Sequence, residues 1–236
     1  MFKGFFIKSF IPLNQIHFMK KLKILNTHYI THDVKRFVLE KPADFEYAPG
    51  QSAHISINIP GWEDKVKPLT LTSLQHWDFV ELIVKIYEDH KGVTAQMAKL
   101  NTGDELIVHD VFGTIKYKGP GIFIAGGTGI TPFIPIFRAL YESGNLRNLA
   151  LLYSNKTKQD IILFEELTQM LGPAFKNIFT REGVIGFRER RIDRKFLVEN
   201  IGDFNFRFYV CGPKKFTEEI CEALVSLGVD PEFLVV

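Results

Sequence analysis

Between Leu22 and Tyr117 the apolar residues recur in short alternating runs: Leu22 to Leu25, Val34 to Leu39, Ala53 to Ile57, Val80 to Ile86 and Leu106 to Val108. A period of two, broken by turn residues, is the signature of strands with one buried face. One helix interrupts the runs near Thr94 to Leu100 and is stopped by Asn101-Thr102-Gly103. The pattern predicts a small antiparallel β-barrel. After Gly119-Pro120-Gly121 the rhythm changes to strands alternating with helices. Strands are expected at Ile122 to Ala125, Leu149 to Tyr153, Ile178 to Thr180 and Phe206 to Val210. Helices are expected at Thr131 to Ser143, Leu163 to Leu171, Lys195 to Asn200 and Lys214 to Leu227. Such alternation predicts an α/β domain, a parallel sheet covered by helices. The domains then read as 19–118 and 119–236, preceded by an extension at 1–18.

Within the second half, Gly121-Ile122-Phe123-Ile124-Ala125-Gly126-Gly127-Thr128-Gly129-Ile130-Thr131-Pro132 runs an apolar strand into a glycine turn. Glycines permit the tight bend and remove Cβ atoms that would hold an anion away, and the helix that follows offers free N–H groups. Thr131 is expected as its N-cap and Pro132 as its first helical residue. The dinucleotide fingerprint does not fit, because Pro132 stands where glycine or alanine is required, and no P-loop lysine follows. A second strand, Phe208-Tyr209-Val210, closes on Cys211-Gly212-Pro213. Ligands of open parallel sheets bind beyond the carboxyl ends of the strands, so both turns are expected to line one crevice.

These two motifs, with Lys67-Pro68-Leu69-Thr70-Leu71-Thr72-Ser73 upstream, resemble those of the ferredoxin-NADP reductase family, in family order from about Leu22 to the C-terminus. The resemblance implies a Greek-key flavin barrel followed by a pyridine nucleotide domain. It gives Gly127, Thr128, Gly129 and Pro132 to the nucleotide pyrophosphate, and places Cys211, Gly212 and Pro213 near the nicotinamide. Thr70 takes the place of the residue that hydrogen-bonds near flavin N5. Lys67 replaces the family's phosphate-binding arginine with a less directional point charge. Leu69 replaces its stacking tyrosine, which removes the aromatic face. Pro68 and Ser73 complete the flavin motif, and Gly92-Val93-Thr94 resembles a flavin pyrophosphate seat, although simple N-capping by Thr94 explains it equally. Thr180-Arg181-Glu182 resembles the pair that holds a 2′-phosphate, with Arg188, Arg190 and Arg191 downstream. No acidic residue stands at the Ser154-Asn155-Lys156 turn, so NADPH is expected over NADH. Cys211 has no histidine partner in sequence context and is expected to position rather than attack.

The implied activity is a flavin-dependent NAD(P)H oxidoreductase. FAD, or alternatively FMN, would pass electrons to a separate carrier such as ferredoxin or flavodoxin. A reductase component of an oxygenase or dehydrogenase system, and a flavin-free nucleotide sensor, remain alternatives. The 29 Lys and Arg residues nearly balance 27 Asp and Glu, so no nucleic-acid partner is expected from bulk charge. Two cysteines, Cys211 and Cys221, are too few for an iron-sulfur cluster or a disulfide framework, which reads as a reduced cytosolic protein. No metal site is expected. Phe2, Phe5, Phe6, Phe10 and Leu13 fall near one helical face, but Pro12 interrupts it and Met19 stands directly before the family-like opening, so an upstream start codon or a loosely docked tail is expected there rather than a membrane-surface helix. Phe233 is out of register with the aromatic ending of the family and takes no role.

Overall fold

A computed structural model describes residues 19–113, 115–181 and 190–236. The extension at 1–18, Glu182 and Arg188 lie outside these residues. The first layer comprises β1 (Lys20–Tyr29), β2 (Val34–Glu40), β3 (Ser52–Ile57), β4 (Lys67–Thr70), β5 (Phe79–Lys85), the short helix α1 (Val93–Met97) and β6 (Glu105–Phe112). The six strands form an antiparallel sheet in the order β4-β3-β6-β1-β2-β5. Its open edges meet through a bridge between Leu71 and Leu82 and a hydrogen bond from Thr72 N to Glu81 O at 2.9 Å. The sheet is thereby closed into a barrel.

The alternation explains which side chains fill it. Leu22 and Ile24 of β1, Phe37 and Leu39 of β2, and Val80, Leu82 and Val84 of β5 point inward to one core. The outer face of the same wall is also buried: Val34 and Ile83 join the core of the second domain. Strand β5 is therefore covered on both sides, which is why its sequence reads as a nearly continuous apolar run. Lys35 is 6% exposed and donates to the carbonyls of Ala98 and Leu100 at 2.9 and 2.7 Å. It closes the end of α1, whose carbonyls have no helical partner.

The second layer runs β7 (Gly121–Gly126), α2 (Phe133–Glu142), β8 (Leu149–Asn155), α3 (Phe164–Leu171), β9 (Phe175–Phe179), α4 (Arg194–Asn200), β10 (Arg207–Cys211), α5 (Lys214–Ser226) and β11 (Leu234–Val235). All strands are parallel, in the order β11-β10-β7-β8-β9. The chain steps one way from β7 and then returns to its other side, so β7 and β10 flank a topological switch point. Apolar clusters cover both faces, one around Phe123, Phe137 and Tyr209, the other around Ile124, Phe208 and Leu224.

Two sequence expectations are corrected. The helix after the glycine turn begins at Phe133, not Thr131, because a 3-10 turn over Gly127–Ile130 intervenes and Pro132 occupies the N-cap position. Thr131 is not a cap; its hydroxyl donates back to Thr128 O at 2.9 Å. The last strand, β11, lacks the length to show a period, and pairs only Leu234 and Val235 with β10.

Candidate functional site

The turns after β7 and β10 touch. A Cβ on Gly129 would lie 2.1 Å from Cys211 O, and one on Gly126 would lie 3.0 Å from the Phe216 ring. Those two glycines allow the protein to pack against itself. Gly127 differs: its φ is +53° and nothing stands within 4 Å of where a Cβ would be, so this is the backbone that faces open space. Tyr153 holds the turn from below, donating its hydroxyl to Gly127 O at 2.9 Å. Burial raises the Tyr153 pKa, so the phenol stays protonated and remains a donor.

A cleft of about 240 Å³ opens here, lined by Gly127, Thr128, Asn155, Lys156, Pro213 and Phe216 among others, with Val34 and Lys85 contributed by the barrel. The exits of β8 and β9 are tied together along its wall. Thr180 N donates to Asn155 O at 2.9 Å and Arg181 N to Lys156 O at 3.0 Å, which sets two cations side by side in the backbone. Arg190 pairs with Glu199 at 2.6 Å, so its charge is already engaged. Sequence reading missed Asp160, which the fold returns to the cleft wall. Its carboxylate accepts from Thr157 N and Oγ1 at 2.8 and 2.6 Å; the Thr-x-x-Asp spacing of this capping box was the available signal.

Burial pushes the Cys211 thiol up to about 11. At neutral pH it is a protonated, half-buried thiol, chemically suited to packing against a ligand and not to nucleophilic attack.

On the barrel side, Lys67 and Pro68 of β4 are exposed. Leu69 pairs across the strands with Ala53 and packs against the barrel core. Thr70 lies on the opposite face, 3.4 Å from the Ser52 hydroxyl. Its Oγ1 is also hydrogen-bonded with Thr131 Oγ1 at 3.1 Å, so the flavin-like strand meets the residue just after the glycine turn.

Four residues of the sequence-derived set are not at an open surface, Gly129 and Pro132 in the nucleotide turn and Ser73 and Thr94 in the barrel. Ser73 is fully buried, with its hydroxyl 2.6 Å from Tyr47 Oη and accepting from Glu81 N at 2.9 Å. Thr94 is 7% exposed and makes no side-chain cap; Gly92 is the N-cap of α1, and Val93 packs on the barrel core. Beside Gly92 runs a second groove of about 470 Å³, walled by Trp62, Lys91 and Gln96. Trp62, an aromatic in a polar loop, is a residue that strand periodicity did not flag.

The residues present fit the groups that this architecture implies. Gly127 leaves room that a Cβ would fill, in the cleft that the basic Lys156 also lines, with Arg181 bonded to Lys156 through the backbone, which suits a pyridine nucleotide phosphate. Exposed Lys67 and the open Gly92 suit a flavin phosphate chain. A nucleotide cleft at the switch point of a parallel sheet, joined through Thr70 and Thr131 to a flavin-type barrel, defines a flavin- and pyridine-nucleotide-dependent oxidoreductase.

Comparison with known proteins agrees. A family model described as an oxidoreductase FAD-binding domain matches residues 21–117, and one described as an oxidoreductase NAD-binding domain matches residues 123–222. The chain is 29% identical over 233 residues to NADH--cytochrome b5 reductase 1 of Arabidopsis thaliana, covering 90% of this chain and 82% of that protein. It is 30% identical over 235 residues to NADH-cytochrome b5 reductase 1 of Eremothecium gossypii, covering 89% and 80%. The propane 2-monooxygenase reductase component of Rhodococcus jostii is 26% identical over 245 residues, 92% of this chain but 62% of that protein. A ferredoxin NADP+ reductase structure from Neisseria gonorrhoeae with bound FAD and NADP superimposes with a TM-score of 0.77 at 19% identity, covering 89% and 92%. The chain belongs to the ferredoxin-NADP reductase-like family and is an FAD-dependent NAD(P)H oxidoreductase. Among the described residues no helix is long and apolar enough to cross a membrane.

Proposed function

We propose that this oxidoreductase takes hydride from NADPH and delivers electrons singly to a separate redox protein. The observation that carries the reading is the Thr131–Thr70 hydrogen bond at 3.1 Å, which puts the nucleotide turn and the flavin strand in direct contact. FAD, when bound, supplies the conversion between two-electron hydride chemistry and single-electron transfer. The chain's own residues do the rest. The Gly127 backbone seats the nucleotide phosphate, and Tyr153 holds that backbone in place. The Cys211 thiol, protonated at working pH, gives a neutral wall to the nicotinamide. Thr70 offers its hydroxyl to the flavin ring edge, Lys67 holds a flavin phosphate, and Gly92 with Lys91 receives the other half of the dinucleotide.

Arg181 and Lys156 favour a 2′-phosphate against the opposing charge of Asp160 in the same cleft, one of whose oxygens accepts from Thr157 N and Oγ1. Two cysteines are too few to hold an iron-sulfur cluster, so an iron-sulfur acceptor would lie outside these 236 residues. Ferredoxin, flavodoxin and a haem protein are the acceptor classes to compare. The match to an oxygenase reductase component over 92% of this chain favours as second reading a dedicated supplier to one oxygenase. Reduction of purified ferredoxin, flavodoxin and cytochrome b5 by NADPH and by NADH, followed anaerobically, tests both. A rate with one carrier tens of times above the others identifies its class. Failure with all three, beside rapid reduction of a small-molecule acceptor, rules out a general carrier and leaves the dedicated partner.

A further inference from the structure

Arg138 and Glu81 make a contact between the two domains that nothing above uses. Glu81 sits mid-strand on the outer face of β5 with no exposed surface, and Arg138 on α2 is 5% exposed. Arg138 Nη1 donates to Glu81 Oε1 at 2.6 Å and to the Thr72 carbonyl at 2.7 Å. Thr72 donates its own hydroxyl to the same Glu81 oxygen at 2.7 Å, and Arg36 of β2 faces the other. The second edge of the guanidinium is bidentate with Glu166 of α3, at 2.5 and 2.9 Å. The Trp77 ring covers it at 4.9 Å.

The connectivity gives this clasp its meaning. Thr72 lies two residues beyond Thr70, and Arg138 lies one helix run beyond Thr131. The clasp and the Thr70–Thr131 bond therefore tie the same two segments at two separate points, and two points define an angle where one defines only a distance. Burial opposes the charge on Glu81, yet Arg138 and Arg36 hold its carboxyl below the ordinary range, so the pair is ionic. A buried ion pair is seldom the most stable way to join two surfaces; apolar residues of similar volume usually hold them as well or better. A planar guanidinium fork does supply what an apolar contact lacks, a fixed direction.

We propose that Arg138 and Glu81 are positioning residues, which set the angle between the flavin strand β4 and the nucleotide crevice so that the two rings meet in reactive alignment. The proposal rests on the oxidoreductase reading. Its test uses two variants of the FAD-loaded protein, Arg138→Met with Glu81→Leu, and Arg138→Lys alone. Anaerobic stopped-flow reduction by NADPH and by 4-deuterated NADPH is measured beside flavin content, nucleotide Kd and Tm. Misplacement by 1 Å can cost about 100-fold in rate. The double variant is expected to keep its Tm, its flavin and its nucleotide Kd within about twofold, while hydride transfer falls at least tenfold and the deuterium effect on turnover rises. Arg138→Lys, which keeps the charge and loses the fork, is expected to fall between. Hydride transfer at the wild-type rate in either folded, flavin-loaded variant overturns the proposal, as does a rate loss that merely tracks lost flavin or lowered Tm. A wild type that neither NADPH nor NADH reduces overturns the oxidoreductase reading, and the proposal with it.

Discussion

Replacing Gly129 by alanine tests the crevice most severely. Its added Cβ would fall 2.1 Å from Cys211 O, 2.4 Å from Cys211 C and 2.6 Å from Gly212 Cα. All three are backbone atoms at the end of β10, so no side-chain rotation relieves the clash. Real Cβ contacts essentially never fall under 3.0 Å, so the two turns must part by close to 1 Å. Overpacking of this kind costs about 1 to 3 kcal/mol, and more where nothing can yield. Parting the turns also widens the nucleotide seat, so affinity for NADP+ is expected to fall at least tenfold, about 1.4 kcal/mol. Gly127→Ala is the control. There the side chain meets nothing within 4 Å, and the penalty is the left-handed backbone at φ +53°, about 1 to 2 kcal/mol. Thermal unfolding with and without NADP+, and calorimetric titration of each variant, read the two effects separately. A Gly129→Ala protein with wild-type Tm and wild-type NADP+ affinity would refute the close approach of the turns.

Three further outcomes are expected. Arg181→Ala lowers kcat/KM for NADPH relative to NADH by about one to two decades, the loss of a charge-assisted pair worth about 1.5 to 3 kcal/mol; equal loss with both nucleotides assigns Arg181 a structural role. Lys67→Ala weakens FAD binding by about 1 to 3 kcal/mol in equilibrium dialysis, and unchanged affinity moves the phosphate site away from β4. Burial opposes ionisation of Glu81 but its arginine partners lower its pKa on balance, so its contribution is present above the unfolded carboxylate pKa and is lost as pH falls through the lower folded value. Denaturant titrations are expected to show wild-type stability falling more steeply in acid than that of the Arg138→Met, Glu81→Leu double variant, and parallel curves would contradict that ionisation.

Alternation made most of the fold legible, because each barrel strand has one face in a core and each helix of the second domain covers a sheet. What escaped has physical causes. The helix start was misplaced because a 3-10 turn and an α-helix share the same residues and differ only in pitch. Ser73 and Thr94 looked available because a hydroxyl in a motif says nothing of burial, and both lie inside. Asp160 stands just past the Ser154-Asn155-Lys156 turn, and it reaches the cleft because the 3-10 turn over Lys158–Asp160, closed by its capping box with Thr157, brings the chain back. The Arg138–Glu81 clasp had a signal, a charge interrupting the apolar run at 133–140 and another interrupting the run at 79–84. Pairing those two charges required knowing that α2 lies across β5.

The most direct test of the central claim is anaerobic titration of the purified protein with NADPH, after incubation with FAD, followed by addition of a one-electron acceptor protein. The protein is expected to be yellow, to be bleached stoichiometrically by NADPH, and to recover its colour as the acceptor is reduced. A well-folded chain that remains colourless and takes up no FAD, or a yellow one that neither NADPH nor NADH bleaches, would contradict the account.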